Sequence, residues 1–328
     1  MKISNSVFST VIDESFWLQL FFVVSGFLLS FSEIQSFRAL IKKSVKRLFR
    51  LYLPIEISCI IIYILSKTIG FYNVDTQRVF LCDWFQRYYR KEFAILDLII
   101  KPIKTVVYGG AEFNGPFWVI KDMFYASLFI YLINYVSLKL SDKVKFIVYI
   151  LVILVVKYVF GTIYFSCLVG ALSGFIIRNN KIMNKLPNTI NGICCTLCIV
   201  MSLGGQKKIF LFLSQKFSTN FILCKLISCF EFNNSIWGTL YFAVFIIFVY
   251  YNKSVKEKLS KDILCNLNKI SFGIYSFHWP VMCSIGALCI IKMSDLFMGI
   301  ICGWLISFEL TICISILYHI VESKIKLK

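Results

Sequence analysis

Long apolar runs recur along this chain with short basic links between them, and that alternation restricts the fold more than any other feature. Inside hydrocarbon, every backbone N–H and C=O must be paired within the protein, so such a run is either a helix or a strand of a closed barrel. Runs such as Leu51–Gly70 and Ile270–Ile291 have the ~20 residues that a spanning helix needs, about twice the length of a barrel strand. The composition agrees: 59% of residues are hydrophobic and 17% aromatic, with mean hydropathy +0.78, against ~45–50% apolar in soluble domains. The expected fold is all-α, a polytopic transmembrane helical bundle forming a single domain over 1–328.

About nine spans are expected. They are Ser15–Phe31, Leu51–Gly70, Pro116–Leu138, Phe146–Phe160, Thr162–Ile177, Ile190–Leu203, Ile236–Tyr251, Ile270–Ile291 and Leu296–His319. Pro116 suits a helix start, where its missing N–H costs nothing. Gly161 marks a tight turn, and Gly170 with Gly174 predicts close helix packing. Between the spans, Ser36–Arg50 reads as a basic amphipathic helix, and Phe71–Gly115 carries a surface helix around Glu92–Val107. Gly204–Asn234 is broken by polar residues and reads as interfacial or re-entrant.

The net charge of +18 (35 basic minus 17 acidic) resides mainly in the links, so it marks topology and gives no nucleic-acid-binding face. With Arg38–Arg50 placed in the cytoplasm and sides alternating at each span, Lys139–Lys145, Arg178–Lys185, Lys253–Asp262 and the KIKLK tail all fall on the same side. The expectation is a multi-pass protein of the cell (inner, cytoplasmic) membrane, solvated by the lipid bilayer. Met1 then lies outside, where a chain beginning inside would have crossed once more before Ser15. No cleavable signal peptide is visible.

Thirteen cysteines lie mostly in apolar segments, where a thiol behaves as a small hydrophobe. Cys194, Cys195 and Cys198 share one apolar helix and have no second pair elsewhere, so no metal site is expected. The sequence contains no P-loop, dinucleotide fingerprint, Gly-x-Ser-x-Gly elbow or HExxH motif, and no bound cofactor is expected.

Polar residues at membrane depth are the remaining candidates for chemistry. The stretch Asn268–Met282 (NKISFGIYSFHWPVM) holds one of the two histidines. Ser271, Tyr275 and His278 recur at helical spacing on one face. Pro280 cannot donate a backbone bond, which frees the Ser276 carbonyl. A helix kink with packed residues accounts for the pattern as well as a functional site does. Lys46, Arg47 and Arg50 flank the second span, either as topogenic anchors or as a phosphate clamp. Trp118, Lys121 and Asp122 sit at the outer end of the third span, where a belt tryptophan and snorkelling charges are ordinary. Glu309 falls near the middle of the ninth span and needs a partner or a proton there; an ion pair with a histidine or lysine of a neighbouring span serves as well as catalysis.

Several stretches, in order, resemble the acyltransferase 3 family of integral membrane O-acyltransferases. FFVVSGFLLS at Phe21–Ser30 is similar to that family's second-helix signature, and KSVKRLFRLYLP at Lys43–Pro54 to its Arg-rich cytoplasmic motif. NGPFWVIKDMF at Asn114–Phe124, ISFGIYSFHWPVM at Ile270–Met282 and YHIVES at Tyr318–Ser323 resemble its later helix starts and ends. The resemblance implies transfer of an acetyl or other acyl group from cytoplasmic acyl-CoA, a cosubstrate, to a hydroxyl of a cell-surface or lipid-linked saccharide. It implies Lys46, Arg47 and Arg50 near the phosphates of acetyl-CoA. It assigns His278, Tyr275 and Ser276 supporting catalytic roles, and Trp118, Asp122 and Glu309 substrate or structural ones. The family also carries an earlier helix bearing the histidine usually held responsible for catalysis; no histidine precedes His278 here. Ten spans are therefore implied for the complete fold, and the chain is expected to be shortened at its start or to be an inactive homologue. A transporter or flippase of lipid-linked glycans is the competing expectation; inverted halves with paired broken helices would support it, and neither is evident.

Overall fold

The computed structural model describes residues 14–78, 83–90, 93–111, 113–179, 192, 196 and 234–326. Its helices are α1 (Glu14–Ser30), α2 (Phe37–Thr68), α3 (Asp97–Val107), α4 (Ile120–Val136), α5 (Asp142–Phe160), α6 (Thr162–Asn179), α7 (Asn234–Tyr251), α8 (Lys253–Leu259), α9 (Asp262–Val281), α10 (Ala287–Lys292) and α11 (Leu296–Lys326). Among the described residues there is no strand. The fold is an all-α polytopic helical bundle, as the hydropathy pattern requires.

Five helical stretches are long and apolar enough to cross a membrane: Phe37–Thr68, Gly115–Val136, Thr162–Asn179, Asp262–Lys292 and Leu296–Lys324. The α7–α8 pair makes a sixth if its 92° bend is counted within one span, and α1 is a shorter apolar helix. The expected fourth span coincides with the helix α5, which is not among those stretches. The expected sixth span, Ile190–Leu203, the segment Gly204–Asn234 and Cys194, Cys195 and Cys198 lie outside the described residues, apart from Gly192, Thr196 and Asn234.

Three boundaries differ from expectation. Ser36–Arg50 and Leu51–Gly70 are not separate: one helix of 32 residues runs through both, with Pro54 inside it. α9 begins at Asp262, not near Ile270; its first two turns are exposed, with Asp262, Asn266 and Asn268 interleaved among apolar residues. The surface helix begins at Asp97 instead of Glu92. The Asp97 carboxylate accepts a hydrogen bond from the Ala94 N–H at 3.0 Å, which marks that start.

The chain separates into two compact units, one of residues 1–44 and 125–259, the other of residues 45–124 and 260–328. In the first unit, α1 and α6 approach backbone to backbone. A Cβ on Gly26 would strike the Cys167 carbonyl, one on Gly170 the Val23 carbonyl, and one on Gly174 the Ser30 side chain. The close packing expected of Gly170 and Gly174 is present. Hydroxyls join neighbouring helices: Ser166 meets Thr239 at 2.7 Å, and Tyr149 donates to Asn134 Oδ1 at 2.8 Å.

The second unit contains α2 from Val45, α3, the turn before α4, and α9 to α11. α9 and α11 pack through small residues, Gly273 against Ser315 and Gly286 against Gly303 and Ser307. Those pairs run in opposite order along the two helices, so α9 and α11 are antiparallel. α2 runs parallel to α9, with Ser58 beside Ser276 and Gly70 beside Ser284. Every residue singled out as a site candidate belongs to this unit.

Candidate active site

α9 does not stop at Pro280; the helix continues through it and then widens into a π turn at Met282–Gly286 before α10. Proline removes the N–H that would bond the carbonyl four residues back. That carbonyl, Ser276 O, is instead met from outside the helix. Asn114 Nδ2 donates to it at 2.9 Å and Ser58 Oγ at 3.2 Å, while Asn114 Nδ2 also reaches Ser58 Oγ at 3.0 Å. Asn114, Ser58 and Ser276 are fully buried. One carbonyl thus ties together α2, the connection before α4, and α9.

Tyr275 makes a second tie across the same seam, its hydroxyl donating to the Pro116 carbonyl. Its ring packs against Phe117 of the 3₁₀ turn Gly115–Val119. Beyond the π turn, the loop after α2 docks on it. The Tyr72 N–H donates to the Cys283 carbonyl at 3.1 Å and Ser284 Oγ to the Gly70 carbonyl at 2.6 Å. Trp279 completes this packing in an aromatic cluster with Phe85 and Tyr88.

A cleft of about 380 Å³ lies between α9 and α11. Ser271, Tyr275 and His278 line one wall and Trp304, Phe308 and Thr311 line the other. The i, i+4, i+7 face expected from the sequence therefore exists and faces a cavity. Among the described residues, no Lys, Arg, Asp or Glu lines it.

His278 is half-buried, and its Nδ1 lies 3.0 Å from the Ile274 carbonyl of its own helix. A carbonyl can only accept, so that contact assigns the proton to Nδ1 and leaves the lone pair on Nε2. In this tautomer Nε2 is the nitrogen that can accept a proton.

The basic residues lie elsewhere in the unit. Arg47 is half-buried on α2, while Lys46 and Arg50 are exposed. Arg50 is close enough to Tyr318 to act on it electrostatically, and Tyr318 is hydrogen-bonded to Glu322 one turn further along α11. The Arg-rich and YHIVES stretches, far apart in sequence, are thus within electrostatic range of each other.

A family model for an acyltransferase domain matches residues 3–320 across this arrangement, spanning both compact units. The chain belongs to the acyltransferase 3 family. Neither a curated protein nor a solved structure matches it.

Within this acyltransferase the candidates divide. Tyr275 and His278 share the cleft. Ser276 does not join them: its side chain is buried and donates to the Phe272 carbonyl at 2.8 Å, so its part is played by its carbonyl. Trp118, 46% exposed, and the half-buried Asp122 lie at the start of the third span. Glu309 lies on the exposed face of α11 and has no ion-pair partner among the described residues. Counting helical turns gave its depth but could not give the direction it faces.

Two residues of the acyltransferase escaped the sequence reading, Ser58 and Asn114. Pro280 was the available signal. A freed carbonyl at a fully buried position requires a donor, but the sequence does not say which segment supplies it.

Proposed function

We propose that this chain is a membrane O-acyltransferase that moves an acetyl or related acyl group from cytoplasmic acyl-CoA to a hydroxyl of a cell-surface or lipid-linked saccharide. The observation that carries the reading is the orientation of His278. It lines a cleft within an acyltransferase chain, its Nδ1 is occupied by the Ile274 carbonyl, and its Nε2 is left basic.

In the proposed reaction the acceptor hydroxyl gives its proton to His278 Nε2 as its oxygen attacks the thioester carbonyl carbon. The new C–O bond forms, the C–S bond breaks, and the imidazolium returns the proton to the departing CoA thiolate. The uncharged cleft suits the thioester and the acceptor hydroxyl and does not suit a diphosphate. The phosphates belong with Lys46, Arg47 and Arg50: the two guanidinium forks match phosphate oxygens and the ammonium adds a point charge. Arg50 precedes Ser58 by eight positions on α2, ~12 Å of helix rise, and Ser58 touches the residue two before His278. An extended pantetheine arm would connect the two places.

The decisive assay incubates membranes containing the protein with radiolabelled acetyl-CoA and follows label into surface glycan, with His278→Ala and Arg47→Ala as controls. Label that depends on both residues is expected. Membranes that transfer no acetyl group and accelerate glycan flipping instead would overturn the proposal.

A further inference from the structure

Pro280, the Ser276 carbonyl and His278 are consecutive parts of one device. The backbone N–H of residue 280 would normally bond Ser276 O; proline has none. The turn that carries this orphaned carbonyl, Ile274 to His278, is the turn that holds the imidazole through its Nδ1 contact. Whatever anchors Ser276 O therefore anchors the ring. The anchor comes from two distant segments: Asn114, 162 positions away, and Ser58, 218 positions away.

Asn114 is the centre of this anchor. Its Nδ2 has two protons, one for Ser276 O and one for Ser58 Oγ, and Ser58 in turn directs its own proton to Ser276 O. The amide's Oδ1 is buried with no partner among the described residues, so only the donating half of the side chain is engaged. A carboxylate of the same shape could not do this, because it has no proton to give.

We infer that Asn114 is a positioning residue for His278, acting through the Ser276 carbonyl that Pro280 leaves unbonded. Its effect on rate rests on the acyl-transfer reading above; the contact itself does not.

The geometry supplies its own control. Pro280→Ala restores an N–H at the position that bonds Ser276 O within the helix, making the Asn114 contact redundant. Four proteins are compared in membranes: wild type, Asn114→Ala, Pro280→Ala and the double variant. The first readout needs no activity. It is the rate at which diethyl pyrocarbonate modifies His278 relative to His319, measured by peptide mass spectrometry; the chain has only these two histidines, so each peptide reports one. Asn114→Ala is expected to change the His278 rate several-fold while His319 stays constant, and the double variant to return it towards wild type. The second readout is acetyl transfer. Asn114→Ala is expected to lower kcat by about tenfold to a hundredfold, with the KM for acetyl-CoA unchanged and with recovery in the double variant.

An unchanged His278 rate in Asn114→Ala, or a change that Pro280→Ala fails to reverse, overturns the inference. If Asn114→Ala does not accumulate in the membrane, Ser58→Ala with and without Pro280→Ala makes the same comparison with one donor removed. If the modification rates behave as expected while the wild type transfers no acetyl group, the anchoring role stands and the acyl-transfer reading falls.

Discussion

At the scale of single residues, the proposed division of labour separates binding from chemistry. His278→Ala should lower kcat about 10²- to 10⁴-fold, the usual contribution of a positioned general base, with a smaller change in the KM for acyl-CoA. Arg47→Ala should do the reverse, raising that KM with a modest effect on kcat; unchanged CoA affinity would refute the phosphate role. Steady-state kinetics in detergent or nanodiscs distinguishes the two patterns. Tyr89 presents a different problem. It holds φ at +60°, its ring stacks on Phe71 at 3.8 Å, and its hydroxyl is buried with no partner among the described residues. Burial pushes the phenol well above its ordinary value, so it stays protonated in the folded protein. Unfolded, it ionises above about pH 10. Its raised folded pKa means stability is fully present below that pH and is lost as pH rises beyond it. Tyr89→Phe should therefore raise the melting temperature, because it removes an unpaired hydroxyl that costs ~1–3 kcal/mol, and should also flatten the alkaline loss. A melting temperature lowered at neutral pH would show that the hydroxyl is bonded in the membrane.

At the scale of elements, what matters is how closely helices approach and where they are interrupted. α1 and α6 touch carbonyl to glycine at Gly26 and Gly170, an approach that any Cβ prevents. Gly26→Leu or Gly170→Leu should force the pair apart, costing ~1–3 kcal/mol or more as overpacking does. The expected outcome is a lowered melting temperature in a detergent-solubilised thermal assay, whereas Gly110→Ala, where nothing lies within 4 Å, should show only its backbone strain. α9 shows how an interruption is turned to use. The sequence marks Pro280 as a kink within one span, and the helix passes through it: Asn114 and Ser58 satisfy the freed carbonyl and the π turn takes up the geometry. α2 is also unbroken: Pro54 sits where the hydropathy changes, but the polar and apolar halves stay one helix.

At the scale of the whole molecule, the parallel course of α2 and α9 and the antiparallel course of α11 are the directions that alternating crossings require. The orientation proposed from the basic links predicts that tags at Arg178 and Lys328 are protected in intact cells, whereas a tag at Asp75 is accessible. A protected tag at Asp75 would break it. The sequence by itself determined the all-α membrane fold, eight of the nine expected spans that coincide with described helices, and the His278 face. These follow from composition and from the 3.6-residue period, which act along a single segment. Only the tertiary structure decided that this face lines a cleft with α11, that the Ser276 hydroxyl bonds its own helix while its carbonyl bonds Asn114, that Glu309 is exposed, and that Arg50 lies within electrostatic range of Tyr318. Each of those depends on which distant segment lies against a helix. In a bundle whose segments are nearly uniformly apolar, hydropathy does not encode that choice; close packing and the pairing of a few buried polar atoms do.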